Sequence, residues 1–437
     1  MRPILGNYFS LGLLGTVLCT ALCLASTAQA SCSSSKLTRT GNEYAATISF
    51  AKLNLSSDYL QPAGTLLGSR IVAPTAHQLM GANARSILWS CDEADLGSIY
   101  FLVATNGDDR LAGYWEVGAA DGLSHVYATW WEYIGLKQSM AGVDITRFWK
   151  KVPITSFERN NRKINIRLMD LPPLEASLYK ISSLPPIIGS NSNACNRMGS
   201  SGLYDCQQPN SYLQLSGDAN VGFDFAHDYV GEDSSLQHRF MSDNNGFAYG
   251  LHHTGPLTRT ETCVARNATP LIQFPTMSAL HLQQGDSAQA DFSVTIECSD
   301  QVHSGTDSGQ TAIAFEISNN AYAVAQNLGL LQANGAVNYL LSDQYQSNSD
   351  LAQGVGIRLK NAISGKQILF THPATGLGGG ESLGWYPVLE GASRVGRLQS
   401  GYSSYLQNYT AILEALPGLN VTPGKIKATA TVVVKVQ

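Results

Sequence analysis

Charged side chains are scarce in this chain. Asp, Glu, Lys and Arg together make up 14% of it, against about 25% in an average globular protein. So few Lys and Glu argue against coiled coils and against surface helices laced with ion pairs. An excess of positive charge is also missing. The formal net charge is -5, which excludes a globally basic nucleic-acid binder, so no nucleic acid is expected as a partner. After residue 30 no run is long and apolar enough to span a bilayer. There is no C-x-x-C pair, no H-E-x-x-H and no Walker loop, so the common signatures of zinc, metalloprotease and nucleotide sites are absent. No solenoid period recurs. Neither a metal nor a cofactor is expected.

What is present favours strands and turns. The 437 residues fit two or three domains, and a hydrophobic fraction of 44% suffices for real cores. Gly 41 and Tyr 19 lean the composition towards turns and β-structure. At the N-terminus Arg2 is the only charge before Lys36. An apolar run from Phe9 to Ala25 follows it, and then Ala28-Gln29-Ala30. This pattern predicts a secretory signal peptide over residues 1–30, removed before Ser31. Cys19 and Cys23 leave with it. Cys32, Cys91, Cys195, Cys206, Cys263 and Cys298 remain, an even set suited to disulfides in an exported chain. Spacing favours Cys195–Cys206 around a short loop and Cys263–Cys298 between two strand-like runs, which leaves Cys32–Cys91.

Strand signals run throughout. Tyr44 to Phe50, Ser98 to Val103 and Lys163 to Leu168 are apolar or alternating runs bounded by turn residues, the pattern of β-sandwiches. Leu60 to Leu67 and Ser403 to Leu416 are possible helical patches, both ambiguous. The segment from Leu251 to Pro256 carries turn residues without alternation. It sets the expected boundaries: a domain over 31–250, a linker over 251–262 and a second domain over 263–437.

The second domain has the most informative order of features. Cys263 precedes an apolar stretch, Pro270 to Pro275, and the strand Ala290 to Cys298. Ala352-Gln353-Gly354-Val355-Gly356-Ile357 follows, then Pro423-Gly424 and a last strand, Ala428 to Gln437, reaching the terminal carboxylate. This order resembles the pilin domain of chaperone–usher fimbriae, over roughly residues 260 to 437. One departure is Val436, where that family usually has an aromatic residue. The resemblance implies an all-β chain of two β-sandwiches. The C-terminal one would be an incomplete immunoglobulin-like fold lacking its last strand. It also implies a groove filled first by a periplasmic chaperone and then by the next pilus subunit, with Val432, Val434 and Val436 in contact, and assembly through an outer-membrane usher. Residues 31–250 are too long for a donor extension, as in two-domain tip adhesins. The implied function is therefore a fimbrial tip adhesin, exported through the periplasm to the cell surface, with a host glycan or matrix receptor.

Two clusters in 31–250 are candidates for receptor contact. The first holds Trp130, Trp131 and Tyr133, rings able to stack on sugar faces. One of the two tryptophans is expected in the core, because neighbours on a strand point to opposite faces. The second runs from Arg147 to Arg167, with seven basic side chains, Arg159 and Arg162 among them, against Glu158 alone. It reads either as an anion-binding surface or as a solvated strand edge. The acidic stretch with Asp218, Asp224, Asp228, Glu232 and Asp233 lacks the spacing of a calcium loop. The dispersed histidines lack zinc spacing. Gly380-Glu381-Ser382-Leu383-Gly384 matches G-x-S-x-G with His372 nearby, but that motif needs an α/β elbow and here it reads as a turn. The chain is not expected to be an enzyme. The alternatives are an exported β-sandwich binding protein outside any pilus, and a hydrolase using Ser382.

Overall fold

The computed structural model describes residues 31–37, 45–77, 82–188, 194–195, 197–242, 244–372, 379–398 and 401–437. The expected signal peptide and Tyr44, the start of one expected strand, lie outside the described residues. The fold is all-β. The only α-helices among the described residues are the short Ala279–Gln283 and Asn319–Asn327. Two separate large cores form, one from residues between Cys32 and Leu257 and one from residues between Cys263 and Leu416.

The first core is built by short strands in three sheets. One orders Cys32–Ser34, Ile87–Asp92, Lys163–Arg167 and Glu158–Asn160. The second orders Lys150–Val152, Ile99–Thr105, Ser211–Gly217, Gly246–Gly250 and Ala46–Thr47. The third orders Leu66–Val72, Leu174–Lys180, Ile134–Met140 and Val126–Ala128, with Val143–Asp144 added beside Ile134–Met140. Every residue of Ile99–Thr105 is buried. Its Ile99, Phe101 and Val103 enter the main core. Tyr100, Leu102 and Ala104 pack on the other face with Trp149, Tyr212 and Phe240. The strand is therefore apolar throughout because both faces of its sheet are covered.

The second core shows cleaner alternation. Ala288–Ser299 pairs along its whole length with Tyr402–Ala415, and Phe292, Val294, Ile296 and Cys298 point inward. Phe292 stacks on its cross-strand partner Tyr409 with ring centroids 5.4 Å apart. Ser403 to Leu416, a possible helical patch in the sequence, is instead almost entirely strand, because it pairs along its length with Ala288–Ser299. Leu60 to Leu67 is a turn leading into Leu66–Val72. The A-Q-G-V-G segment and the P-G turn meet in space. Ala352 N donates to Lys425 O at 2.9 Å, and Thr422 N to Gln353 O at 3.0 Å. Gly354 sits at φ +71°, and a Cβ there would lie 2.1 Å from Asn420 O, so only glycine fits this approach.

Disulfides join Cys32 to Cys91, Cys195 to Cys206 and Cys263 to Cys298. The expected linker is shorter than 251–262. Leu251 and Leu257 are buried in the first core, and Leu257–Thr258 pairs with Leu53–Asn54. Residues 259–262 make the crossing between the cores.

Candidate functional site

The edges of the second domain come first. Ala430–Val436 pairs along one side only, with Thr311–Ile317, and Cys263–Ala268 pairs only with Ala288–Ser299, among the described residues. An apolar groove lies between the continuation of the first strand and the terminal strand. Its floor holds Phe292, Phe315, Leu340, Ile357 and Phe370, drawn from both sheets. Its walls are Ala268 to Phe274 and Ile426 to Val432. Towards one end the groove continues past Val421 and Gly424, and towards the other past Val434 and Val436. Ala428, Ala430, Val432 and Val434 are partly buried against the core, and Val436 is fully buried. Val433 faces the other way, towards Ala312, Ala314 and Trp385. The period-two alternation thus puts the apolar side chains beside the unpaired edge.

The first domain meets this end of the second through residues 52–59. Tyr402 Oη donates to Ser57 Oγ at 2.8 Å, and the Tyr402 and Tyr59 rings lie 4.5 Å apart. Arg266 donates to Tyr59 O at 2.7 Å while paired with Glu297.

The sequence candidates for receptor contact do not form one surface. Trp131 is fully buried and belongs to the main core. Trp130 is half-buried, with its ring over Gly199 and 5.7 Å from that of Tyr204. Burial pushes the Tyr204 hydroxyl up to about 12. Tyr133 is exposed but lines a cleft beside Arg259 and Glu261, next to the crossing between domains. Gly199 and Gly202 tie this cluster to Trp130 and Leu257 by backbone hydrogen bonds, so it sits at the linker end.

Arg159 and Arg162 lie elsewhere, on the exposed edge hairpin of Glu158–Asn160 and Lys163–Arg167. Arg162 O accepts from Glu93 N, beside the start of Ile99–Thr105, while Tyr204 stands near Asn210 at that strand's other end. Most of the hairpin's positive charge is paired: Arg159 with Glu93 at 2.8 Å, Lys163 with Asp92 at 2.8 Å, and Arg167 with Asp170 and Glu158. Arg147 pairs with Asp233. The solvated-edge reading fits these pairs. Arg162 makes no ion pair among the described residues.

The acidic stretch is also used internally. Asp228 is buried and accepts from Gln214 Nε2 at 2.7 Å and from Arg239 N at 2.9 Å. Burial still leaves its pKa raised. Ser382 sits in a 3-10 turn and donates to Gly379 O at 2.7 Å, with no strand-to-helix elbow around it. His372 stacks on Tyr322, and its Nε2 meets Asn319 Oδ1 at 2.7 Å.

One group of rings escaped the sequence reading. Phe223, Phe225, His227 and Tyr229 form a ladder with successive contacts of 5.2 Å (Phe223–Phe225), 4.6 Å (Phe223–His227) and 4.9 Å (His227–Tyr229). They line a shallow concavity with Arg239. The available signal was period-two alternation: rings at every second position, interleaved with Asp224 and Asp228.

Residues 251–437 match the family model described as fimbrial protein. No curated protein matches the chain. Among solved structures, the CupB6 tip adhesin from Pseudomonas aeruginosa is 12% identical, covering 85% of this chain and 96% of that one, with a TM-score of 0.20. The CsuC–CsuE chaperone–tip adhesion subunit pre-assembly complex of Acinetobacter baumannii has a chain that is 12% identical, covering 89% and 98%, with a TM-score of 0.21. The P pilus rod subunit PapA is 19% identical over 40% of this chain and 99% of its own, with a TM-score of 0.24. The segment matched by the family model contains the motifs that meet around Gly354. The similarity to the fimbrial protein family covers residues 251–437, the part of the chain that forms the second core.

Proposed function

We propose that the chain is the adhesin subunit at the tip of a chaperone–usher fimbria, non-enzymatic, exported through the periplasm to the cell surface. The carrying observation is the apolar groove flanked by the single-sided strands Cys263–Ala268 and Ala430–Val436 within a fimbrial domain. An unpaired edge beside apolar floor residues is completed by an added strand: main-chain hydrogen bonds supply affinity, and alternate side chains fill the groove. The partners are a periplasmic chaperone, then the next pilus subunit, with an usher in the outer membrane. Val432, Val434 and Val436 contact the added strand or shape its groove. Tip placement draws support from residues 251–258. The stretch that would serve as a donor strand in a shaft subunit is packed into the first core through Leu251 and Leu257. The first domain is then free to bind a host glycan or matrix receptor.

Co-expression with the chaperone of a fimbrial operon tests this reading. The full chain is expected to co-purify with the chaperone, and Val434→Asp to abolish the complex, because a carboxylate in an apolar groove costs about 3 kcal/mol or more. Equal recovery of the complex with Val434→Asp would contradict it.

A further inference from the structure

The ring ladder lies at the end of the first domain remote from the second. Ser211–Gly217 begins beside Tyr249 and Thr105, and Tyr249 leads through Leu251 and Leu257 to the crossing. The strand ends at Gly217 beside Ile99, and the ladder residues follow within the next twelve positions. Asp224 N donates to Cys32 O at 3.1 Å, and Ser34 N donates to Asp224 Oδ1 at 3.0 Å, which pins the ladder to the disulfide-bonded first strand. The rings are held without being buried. Phe223 and Phe225 pack partly against the core, and Tyr229 is 45% exposed. His227 Nδ1 meets Ser216 Oγ at 2.9 Å, so its Nε2 is left without a hydrogen bond among the described residues. Arg239 lies 5.6 Å from the Tyr229 ring centroid and is anchored by Glu232 at 3.1 Å.

We infer that this concavity is the receptor site, and that it takes a neutral saccharide. The inference rests on the adhesin reading and names its ligand class. Ring faces offer apolar contact to the C–H side of a pyranose. Around them stand hydroxyl partners: the guanidinium of Arg239, the imidazole of His227 and the carboxylate of Glu232, which also accepts from Tyr229 N. A purely apolar peptide would leave these polar groups unmatched. An anionic ligand meets the wrong field, because Arg239, the cation lining the concavity, is already paired with Asp228 and Glu232. Residues fixed by the core lower the ordering cost of binding.

The full chain is probed on an array of neutral, sialylated and sulfated glycans, with Tyr229→Ala, Phe225→Ala and Tyr229→Phe alongside. Melting curves select the folded variants. Binding is expected to neutral glycans, to weaken about tenfold in Tyr229→Ala and Phe225→Ala, and to persist in Tyr229→Phe. Undiminished binding by both folded alanine variants overturns the site. Binding confined to acidic glycans, or adhesion to protein alone, overturns the ligand class. None of these outcomes touches strand acceptance by the second domain. Loss of that acceptance would instead sink the adhesin reading.

Discussion

The two domains differ in what they leave uncovered. The first covers its central sheet on both faces, so Tyr100, Trp149 and Tyr212 are core on the outer side, as Trp89, Phe101 and Trp131 are on the inner. In the second, Ala430–Val436 is paired along one side only among the described residues, with half-buried valines along it. Large rings therefore say little about function in the first domain, whereas a backbone edge says much in the second.

The sharpest way to break this contrast is Trp131→Ala. A fully buried indole removed from the first core is expected to cost about 3–5 kcal/mol, read in a melting or urea curve. Arg162→Ala, at an exposed turn, is expected to stay within about 0.5 kcal/mol. Near-equal effects would return Trp131 to the surface. The strand groove of the second domain is expected to accept its partner equally well in both variants.

The disulfides separate the domains next. Cys263 and Cys298 are 35 residues apart, and Cys195 and Cys206 are 11 apart. Loop entropy predicts losses of about 4 and about 3 kcal/mol for Cys263→Ser and Cys195→Ser. Each loss is expected only in the melting transition of its own domain. A single transition shifted by either change would mean that the cores unfold together.

Much of this was legible in the sequence for a physical reason. In the second domain one face of each long strand is buried, so the period-two pattern of Ala288–Ser299 survives in the residues. Glycines such as Gly354 mark close approaches that nothing larger permits. In the first domain, coverage of both faces erased the alternation of Ile99–Thr105. The sequence therefore could not separate buried rings from exposed ones, and it offered Trp131 as receptor contact. The extent of the linker was also obscured, because Leu251 and Leu257 at its start are buried, and Thr254 and Leu257 are held by Phe50 and Leu53, about 200 residues away in sequence. The charge run from Arg147 to Arg167 was visible, but its neutralising partners Glu93, Asp92 and Asp233 come from other strands and loops.

A smaller effect distinguishes the domains by acid. His77 is buried between Phe247 and Tyr249 in the first domain, both ring nitrogens lack hydrogen bonds among the described residues, and burial lowers its pKa from 6.5 to about 3. The folded state holds it neutral, and the unfolded chain takes up a proton below pH 6.5. Its contribution is thus intact above pH 6.5 and declines as pH falls towards 3, by up to about 1.4 kcal/mol per pH unit. His77→Phe is expected to flatten that slope in the first transition. An unchanged slope would place the acid sensitivity elsewhere.

Hydrogen exchange along the two edge strands tests the central claim most directly. In the full chain alone, about half the amides of Ala430–Val436, those facing away from Thr311–Ile317, are expected to exchange far faster than amides in Tyr402–Ala415, which is paired on both sides. Adding a strand peptide of about ten alternating apolar and polar residues is expected to protect Ala430–Val436 and leave the first domain unchanged. Amides of Ala430–Val436 protected throughout without the peptide, with no response on adding it, would show that the edge is closed and contradict the account.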